Sequence, residues 1–323
     1  MRNLICLGIE CTAHTFGAAL VDSKGKILEE KRDMYTSEHG GIIPWDAAKH
    51  HEKIGKEMTF EVLHGKKPDF VAFSQSPGMA PCLVAGMKVA KQVANELNVP
   101  LIGVNHIAAH LEIGRLLTKA KDPIFVFTSG ANTQIIAHED KYRIFGETLD
   151  VGIGNALDKF GREIGLGFPA GPKIEELAKK GKYIELPYTV NGMDAAFSGI
   201  VTEAIKKFKE GAKKEDLCFS LQETLFAMLA EITERALAHC DKKEVLLIGG
   251  VAANKRFCEM LDKMCKARKA KFYATPLKYC GDQAAQIGWL GILSYPYVKQ
   301  EKLSHIDIDP YLRVDQIETP WFI

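Results

Sequence analysis

Two histidines four residues apart, in Asn105-His106-Ile107-Ala108-Ala109-His110, have the residue types and spacing in this chain best suited to chemistry. The hexapeptide follows an apolar stretch that reads as a strand and opens one that reads as a helix. Positions i and i+4 of a helix share a face, so both imidazoles can reach one metal ion. A zinc protease of the H-E-x-x-H type needs Glu directly after the first His as general base. Ile107 stands there, which removes that reaction. The competing reading makes His106 a helix cap and His110 an ordinary half-buried histidine. A metal would need a third ligand from elsewhere, and a carboxylate is the natural type. Asp282, after Gly281 at the start of the last helical stretch, is a candidate, although Asp at that place is equally suited to be an N-cap.

Gly-rich turns form a second group. Gly249-Gly250-Val251-Ala252-Ala253-Asn254 follows the apolar residues 245–248 and leads into a helix. Paired glycines let backbone approach a flat ligand or a phosphate, and a helix N-terminus favours negative charge. Neither the Walker spacing nor G-x-G-x-x-G is present, so a Lys-bearing phosphate loop is not expected. A plain tight turn is the alternative. Thr128-Ser129-Gly130-Ala131-Asn132-Thr133-Gln134 reads as a hairpin tip whose N–H groups and hydroxyls can hold phosphate or carbonyl oxygens. Glu10-Cys11-Thr12-Ala13-His14-Thr15 is the equivalent tip earlier in the chain, and two such tips facing each other would bracket a phosphate chain. Asp158, after Gly152-Ile153-Gly154, and Glu175, after Pro169-Ala170-Gly171, set carboxylates beside Gly-rich turns, as suits ribose hydroxyls. Lone carboxylates are more often caps or solvated side chains.

The elements that must position these residues come in a repeating order. Residues 5–10, 16–22 and 27–33 read as a three-strand meander, with 23–26 as a hairpin connection. A helix at 46–63, a strand at 70–73, a helix at 83–97 and a strand at 101–104 follow. After Asp122-Pro123 the meander recurs at 124–128, 133–138 and 142–149. A Gly-rich, mostly helical region then runs to about 239, before a strand at 244–248, a helix after Asn254, a strand at 271–274 and a helix from 282. The pattern predicts a duplicated α/β protein, with one lobe at 1–120, a second at 121–323 carrying a helical insertion around 152–240, and a central cleft for ligand. The polar tail from 301 is expected to be irregular, given Asp309-Pro310 and Thr319-Pro320, and is a candidate to pack back on the first lobe. Phe226, Met228, Phe257, Met260 and Met264 fit helix core spacing and are assigned no ligand.

Composition sets the outer limits. The 323 residues carry 42 Lys+Arg against 41 Asp+Glu, which argues against a broad basic sleeve for nucleic acid. Hydrophobic residues at 46% exclude disorder, collagen and coiled coil, and the length fits about two domains. Eight cysteines without a C-x-x-C pair suggest neither a zinc knuckle nor a disulfide framework, so a reducing cytoplasm is the simplest setting. Glu10 interrupts the first apolar run before a signal sequence or membrane span can form, so a cytoplasmic protein with no membrane partner is expected. Basic runs at 179–182, 206–209 with Lys213-Lys214, and 266–271 read first as solvated helix faces.

Taken together, Asn105-His-x-x-x-His110, Ser129-Gly-x-Asn-Thr-Gln134, Gly146-Glu-Thr-Leu-Asp150 with Gly154-Asn-Ala-x-Asp158, Pro169-x-Gly-Pro-x-x-Glu175, Phe197-Ser-Gly199 and Gly249-Gly-Val-Ala-Ala-Asn254 resemble one family. It is the tRNA N6-adenosine threonylcarbamoyltransferase family, in its archaeal and eukaryotic branch, the catalytic subunit of the KEOPS complex. The match runs from Gly8-Ile-Glu-x-Thr-Ala-His-Thr15 to Gly281-Asp282. The resemblance implies the duplicated fold of actin, hexokinase and the heat-shock chaperone ATPase (ASKHA). It also implies transfer of threonylcarbamoyl from threonylcarbamoyl-adenylate to N6 of the adenosine 3′ of the anticodon, in tRNAs reading codons that begin with A. It makes His106, His110 and Asp282 the ligands of one iron or zinc ion. Phe127, Thr128, Ser129, Gly130, Ala131, Asp158, Gly171, Glu175 and Asn254 become the contacts of an adenylate or ATP-type nucleotide. No catalytic side chain is implied beyond the metal site, with Glu10 the one further candidate. Three departures stand out: Phe127 replaces a Tyr and so removes a phenolic ligand, and Ala131 and Ala170 replace Gly, each adding a methyl that restricts φ.

The implied partners are tRNA, a small atypical kinase-ATPase, a dimerising subunit and a further small subunit; some archaeal relatives are fused to the kinase, whose motifs are absent here up to Trp321-Phe322-Ile323. Two rivals share the fold. A small-molecule kinase would replace the His pair by acidic magnesium ligands, and a non-enzymatic nucleotide switch would have no need of His106.

Overall fold

The structure, a computed structural model, describes residues 3–36 and 42–322. Met1, Arg2 and Ile323, which belong to the terminal stretches discussed above, lie outside the described residues. The chain forms two compact units: Met1–Leu116 with Asp140–Tyr142 and Asp282–Ile323, and Leu117–Glu139 with Arg143–Gly281.

The first unit opens with an antiparallel meander, β1 (Ile5–Glu10), β2 (Thr15–Asp22) and β3 (Ile27–Met34). Then come α1 (Pro44–Leu63), β4 (Phe70–Ser76), α2 (Ala80–Leu97), β5 (Leu101–Asn105) and α3 (His106–Thr118). β4 pairs parallel to both β1 and β5, which gives the sheet order β3-β2-β1-β4-β5. Every residue of β2 is buried, and so is β1 beyond Ile5, because helices cover both faces. Leu7 and Ile9 point into a core with Ala47 of α1 and Val89 of α2.

The second unit repeats this plan. Its meander is β6 (Ile124–Thr128), β7 (Thr133–His138) and β8 (Tyr142–Glu147). There follow α4 (Ile153–Glu163), α5 (Gly171–Ala178), the two-residue strands β9 (Val190–Asn191) and β10 (Asp194–Ala195), α6 (Ser198–Lys209) and α7 (Lys214–His239). β11 (Glu244–Ile248), α8 (Lys255–Ala267) and β12 (Lys271–Ala274) complete it. β11 lies parallel to β6 and β12, so the order β8-β7-β6-β11-β12 matches that of the first sheet element for element. Phe226 and Phe257 stack at 4.6 Å in its core beside the buried Met228, while Met260 and Met264 pack half-buried against it.

Packing divides the chain differently from chain order. The last helix, α9 (Ala284–Ser294), expected with residues 121–323, lies on the first sheet, on the face opposite Leu7 and Ile9. Gly8 makes this possible, since a Cβ there would stand 2.4 Å from Ala284 O and from Gly288 N. Apart from one short turn at Val314–Gln316, the described tail beyond α9 is irregular, and it is tied to the first unit. Asp309 N donates to Gln75 O (3.1 Å), Gln75 Nε2 to Asp307 O (2.6 Å) and Trp321 Nε1 to Glu112 Oε1 (3.2 Å). No described helix is long and apolar enough to cross a membrane.

Candidate metal centre and nucleotide loops

The histidine pair sits at the first turn of α3, directly after β5. Asn105 Oδ1 accepts from Ala108 N at 3.0 Å, so the capping side chain is Asn105 and not His106. The two imidazole rings meet edge to face at 4.6 Å between centroids. Asp282 lies two residues before α9, whose N-cap residue is Gln283, so the capping reading of Asp282 falls too. Its Oδ1 stands 3.5 Å from His106 Nε2 and 3.3 Å from His110 Nε2. One ligand atom from each of His106, His110 and Asp282 falls within 4.8 Å of the others. His106 and His110 on α3 and Asp282 just ahead of α9 belong to the same unit, and the packing of α9 against Gly8 supplies the third ligand.

Glu10, at the end of β1, holds this cluster from behind. It is 0% exposed; Oε1 accepts from Thr12 N (2.8 Å) and Thr12 Oγ1 (2.5 Å), and Oε2 lies 2.9 Å from His106 Nδ1. With Nδ1–H donated to Glu10, Nε2 is the nitrogen turned toward Asp282. Burial pushes the His106 imidazole down, but the Glu10 charge and hydrogen bond, with Asp282, outweigh it and raise the value to about 9. At His110 burial prevails and the value falls. For Asp282 burial acts upward, yet the hydrogen bond with His110 and the two neighbouring imidazoles hold the carboxyl well below the usual range. A proton shared among these atoms can bridge only two of them at a time. A cation would serve all three, and two imidazole nitrogens with one carboxylate oxygen make a donor set that fits a divalent first-row metal. Sequence alone does not show the role of Glu10 toward His106, although a charged residue closing an otherwise apolar strand is the signal that marks it.

The Gly-rich residues gather in the second unit. Thr128 ends β6, and its Oγ1 donates to Ile248 O at 3.1 Å. The tip that follows docks on the first turn of α4: Gly154 N donates to Ser129 O (3.2 Å) and Asn155 N to Gly130 O (3.0 Å). Gly249 takes φ +97°, where a Cβ would lie 2.3 Å from Thr128 O. Asp158 Oδ1 accepts from Ala170 N (2.7 Å), next to Gly171 at the start of α5, and burial raises its carboxyl. One turn along α5, Glu175 Oε1 accepts from Lys255 N (2.9 Å), beside Asn254. Asn254 caps α8 through Phe257 N (3.1 Å) and donates to Gln222 Oε1 (3.0 Å). α5 thus joins Asp158, Gly171, Glu175 and Asn254 in one chain of contacts. Gly171 and Gly250 have no atom within 4 Å of where a Cβ would be, so their backbone faces open space. Phe127 is 1% exposed inside β6.

The two alanine departures are absorbed locally. Ala170 has φ −88°, unstrained for any residue. Its methyl takes the room of a side chain at Gly161, where a Cβ would lie 2.1 Å away. Ala131 is not among the described residues with positive φ. The basic runs are largely countered by their neighbours: Lys206 by Glu203 and Glu210, Lys207 by Glu203, Lys209 by Glu163 and Lys266 by Asp262.

Residues 26–289 match the family model described as tRNA N6-adenosine threonylcarbamoyltransferase (TsaD). The chain belongs to that family. The threonylcarbamoyltransferase of Archaeoglobus fulgidus is 50% identical over 98% of this chain and 100% of its own length. That of Thermococcus kodakarensis is 47% identical over 98% and 100%. A probable bifunctional tRNA threonylcarbamoyladenosine biosynthesis protein of Methanocaldococcus jannaschii is 49% identical over 98% of this chain, which spans 60% of the relative. The chain thus covers about three fifths of such bifunctional relatives. Among solved structures, T. kodakarensis HypF aligns over 92% of this chain and 48% of its own with a TM-score of 0.64 at 18% identity. Component A of (R)-2-hydroxyglutaryl-CoA dehydratase from Acidaminococcus fermentans aligns over 90% and 97% with a TM-score of 0.53 at 16% identity. At these identities the likeness shows the fold alone, and it is the duplicated ASKHA fold of this threonylcarbamoyltransferase family.

Proposed function

We propose that this chain transfers the threonylcarbamoyl group of threonylcarbamoyl-adenylate to N6 of the adenosine 3′ of the anticodon, in tRNAs reading codons that begin with A. The observation that carries the reading is the convergence of His106, His110 and Asp282 within 4.8 Å, backed by Glu10, in a chain about half identical to named threonylcarbamoyltransferases over nearly its whole length. In the reaction an N6–C bond forms as the anhydride C–O bond breaks, AMP leaves with the electron pair, and one N6 proton is released. A mixed anhydride already has a good leaving group, so positioning suffices and no nucleophilic side chain is needed. An iron or zinc ion bound by His106, His110 and Asp282 would act as Lewis acid and template. Glu10 fixes His106 in the Nδ1–H tautomer and holds its ring in place.

The nucleotide moiety of the donor is assigned to Thr128, Ser129, Gly130, Ala131, Asp158, Gly171, Glu175 and Asn254. In support, Gly171 and Gly250 leave backbone open to a flat ligand. The proposed assembly joins this chain to a small kinase-ATPase, a dimerising subunit and a further small subunit, acting in the cytoplasm. The bifunctional names of the longer relatives support a second activity working alongside this one. Near-neutral charge favours weak tRNA binding by the isolated chain, with partners adding to it. The test is a reconstituted transfer assay with tRNA, threonylcarbamoyl-adenylate and partner subunits. Absence of modified adenosine under those conditions refutes the proposal.

A further inference from the structure

Gln286 stands in the first turn of α9, four residues after Asp282, as His110 stands four residues after His106. Its side chain is buried, with the residue 1% exposed, and Nε2 lies 3.0 Å from His110 Nε2. Oε1 has no hydrogen-bond partner among the described residues. His110 Nε2 therefore has Asp282 Oδ1 at 3.3 Å and the Gln286 amide at 3.0 Å. One ring nitrogen cannot serve both as they stand. Carrying a proton, it suits Asp282 and meets the amide N–H group head on; carrying a lone pair, it suits the amide and faces a carboxylate oxygen.

A half-turn of the amide exchanges its oxygen and nitrogen, and the surrounding network decides which orientation holds. Rotated, the amide turns Oε1 toward His110 Nε2, the nitrogen that Asp282 Oδ1 also faces. The atoms gathered there are then two imidazole nitrogens, a carboxylate oxygen and an amide oxygen, all electron-pair donors. A proton can bridge two of them, whereas a cation takes all four. The same cation gives Oε1 the partner it lacks, while Nε2 turns to the place that Oε1 left.

We propose that Gln286 is the fourth protein ligand of the metal centre, binding through Oε1 beside His106, His110 and Asp282. The inference rests on the three-residue metal reading and deepens it: the N2O2 set favours a divalent ion such as zinc or ferrous iron over a soft one such as cuprous copper.

The test uses the full chain, stripped of metal and titrated with zinc, and anaerobically with ferrous iron, against a competing chelator; zinc-edge X-ray absorption reports the bound shell. Gln286→Leu is expected to bind about 10- to 100-fold more weakly, with a smaller nitrogen/oxygen shell. The melting temperature of its metal-free form should not fall by much, because Leu removes a buried amide whose Oε1 has no partner among the described residues, at the cost of the Nε2 contact to His110. Gln286→Glu, which keeps an oxygen at the same reach, is expected to bind at least as tightly as the parent. Parent-like affinity and shell in Gln286→Leu overturn the inference, as does loss of binding in Gln286→Glu. If His106→Ala also binds like the parent, the three-residue centre itself is wrong; if His106→Ala loses the metal and Gln286→Leu does not, only the fourth ligand is.

Discussion

Replacing Glu10 by Gln in the metal-free protein isolates the contact that holds His106. The imidazole is raised from 6.5 to about 9 in the fold, burial opposing and Glu10 leading the upward causes. A group raised on folding adds stability that is whole below the unfolded value and is lost as pH rises through the folded one. A rise from 6.5 to about 9 at about 1.4 kcal/mol per pH unit gives roughly 3 kcal/mol below pH 6. The same linkage leaves about 2 kcal/mol at about pH 7.5 and almost nothing at about pH 9.5. In Glu10→Gln, burial acts against Asp282 alone, so the folded value drops to the unfolded one or below and this contribution disappears. Loss of the carboxylate's bonds to Thr12 adds a further cost that does not vary with pH in this range. The assay is urea denaturation of both proteins in chelator between pH 5.5 and 9.5. The stability gap should narrow by about 3 kcal/mol on going up that range. A gap that stays constant, or widens with pH, refutes the charge coupling between Glu10 and His106.

Other consequences follow from single positions. Gly249→Ala puts a methyl at φ +97° and 2.3 Å from Thr128 O, so it should lower stability by about 1–3 kcal/mol and weaken adenylate binding, both measurable on the purified chain. Removing Trp321 and Phe322 takes the indole bond from buried Glu112 and the ring lying 3.7 Å from the Arg115 guanidinium; a loss of about 1–3 kcal/mol in chemical denaturation is expected. Lys206→Ala and Lys207→Ala remove cations already countered by Glu203 and Glu210, so stability should change by less than about 0.5 kcal/mol and tRNA affinity by less than about two-fold in a binding titration.

Both meanders and the parallel strands after them were legible because alternation and apolar runs mark strands whatever lies on top of them. The sheet to which a helix belongs is not so marked. α9 is apolar along most of its length, and only the missing side chains at Gly8 and Gly288 say that it docks on β1. Helix starts slipped by two or three residues where proline opens the turn, as at Pro44 and Pro81, because proline is tolerated there and reads as a breaker elsewhere. At the metal centre, the i, i+4 spacing announced His106 and His110, since both lie on one helix. Asp282 was tied to them by resemblance, its local sequence being equally that of a cap. Glu10 was named only as a further catalytic candidate, and its bond to His106, like Gln286 itself, stayed hidden because these contacts cross 96 and 176 residues of chain and have no local period.

The central claim is that the His106, His110 and Asp282 centre serves threonylcarbamoyl transfer to tRNA. The most direct measurement is the reconstituted assay with partner subunits, tRNA and threonylcarbamoyl-adenylate, run beside elemental analysis of the bound metal. The parent chain should form threonylcarbamoyladenosine at the position 3′ of the anticodon, and His106→Ala and His110→Ala should lose metal and product together. Unmodified tRNA with the parent chain, or full product from both metal-free variants, would contradict the account.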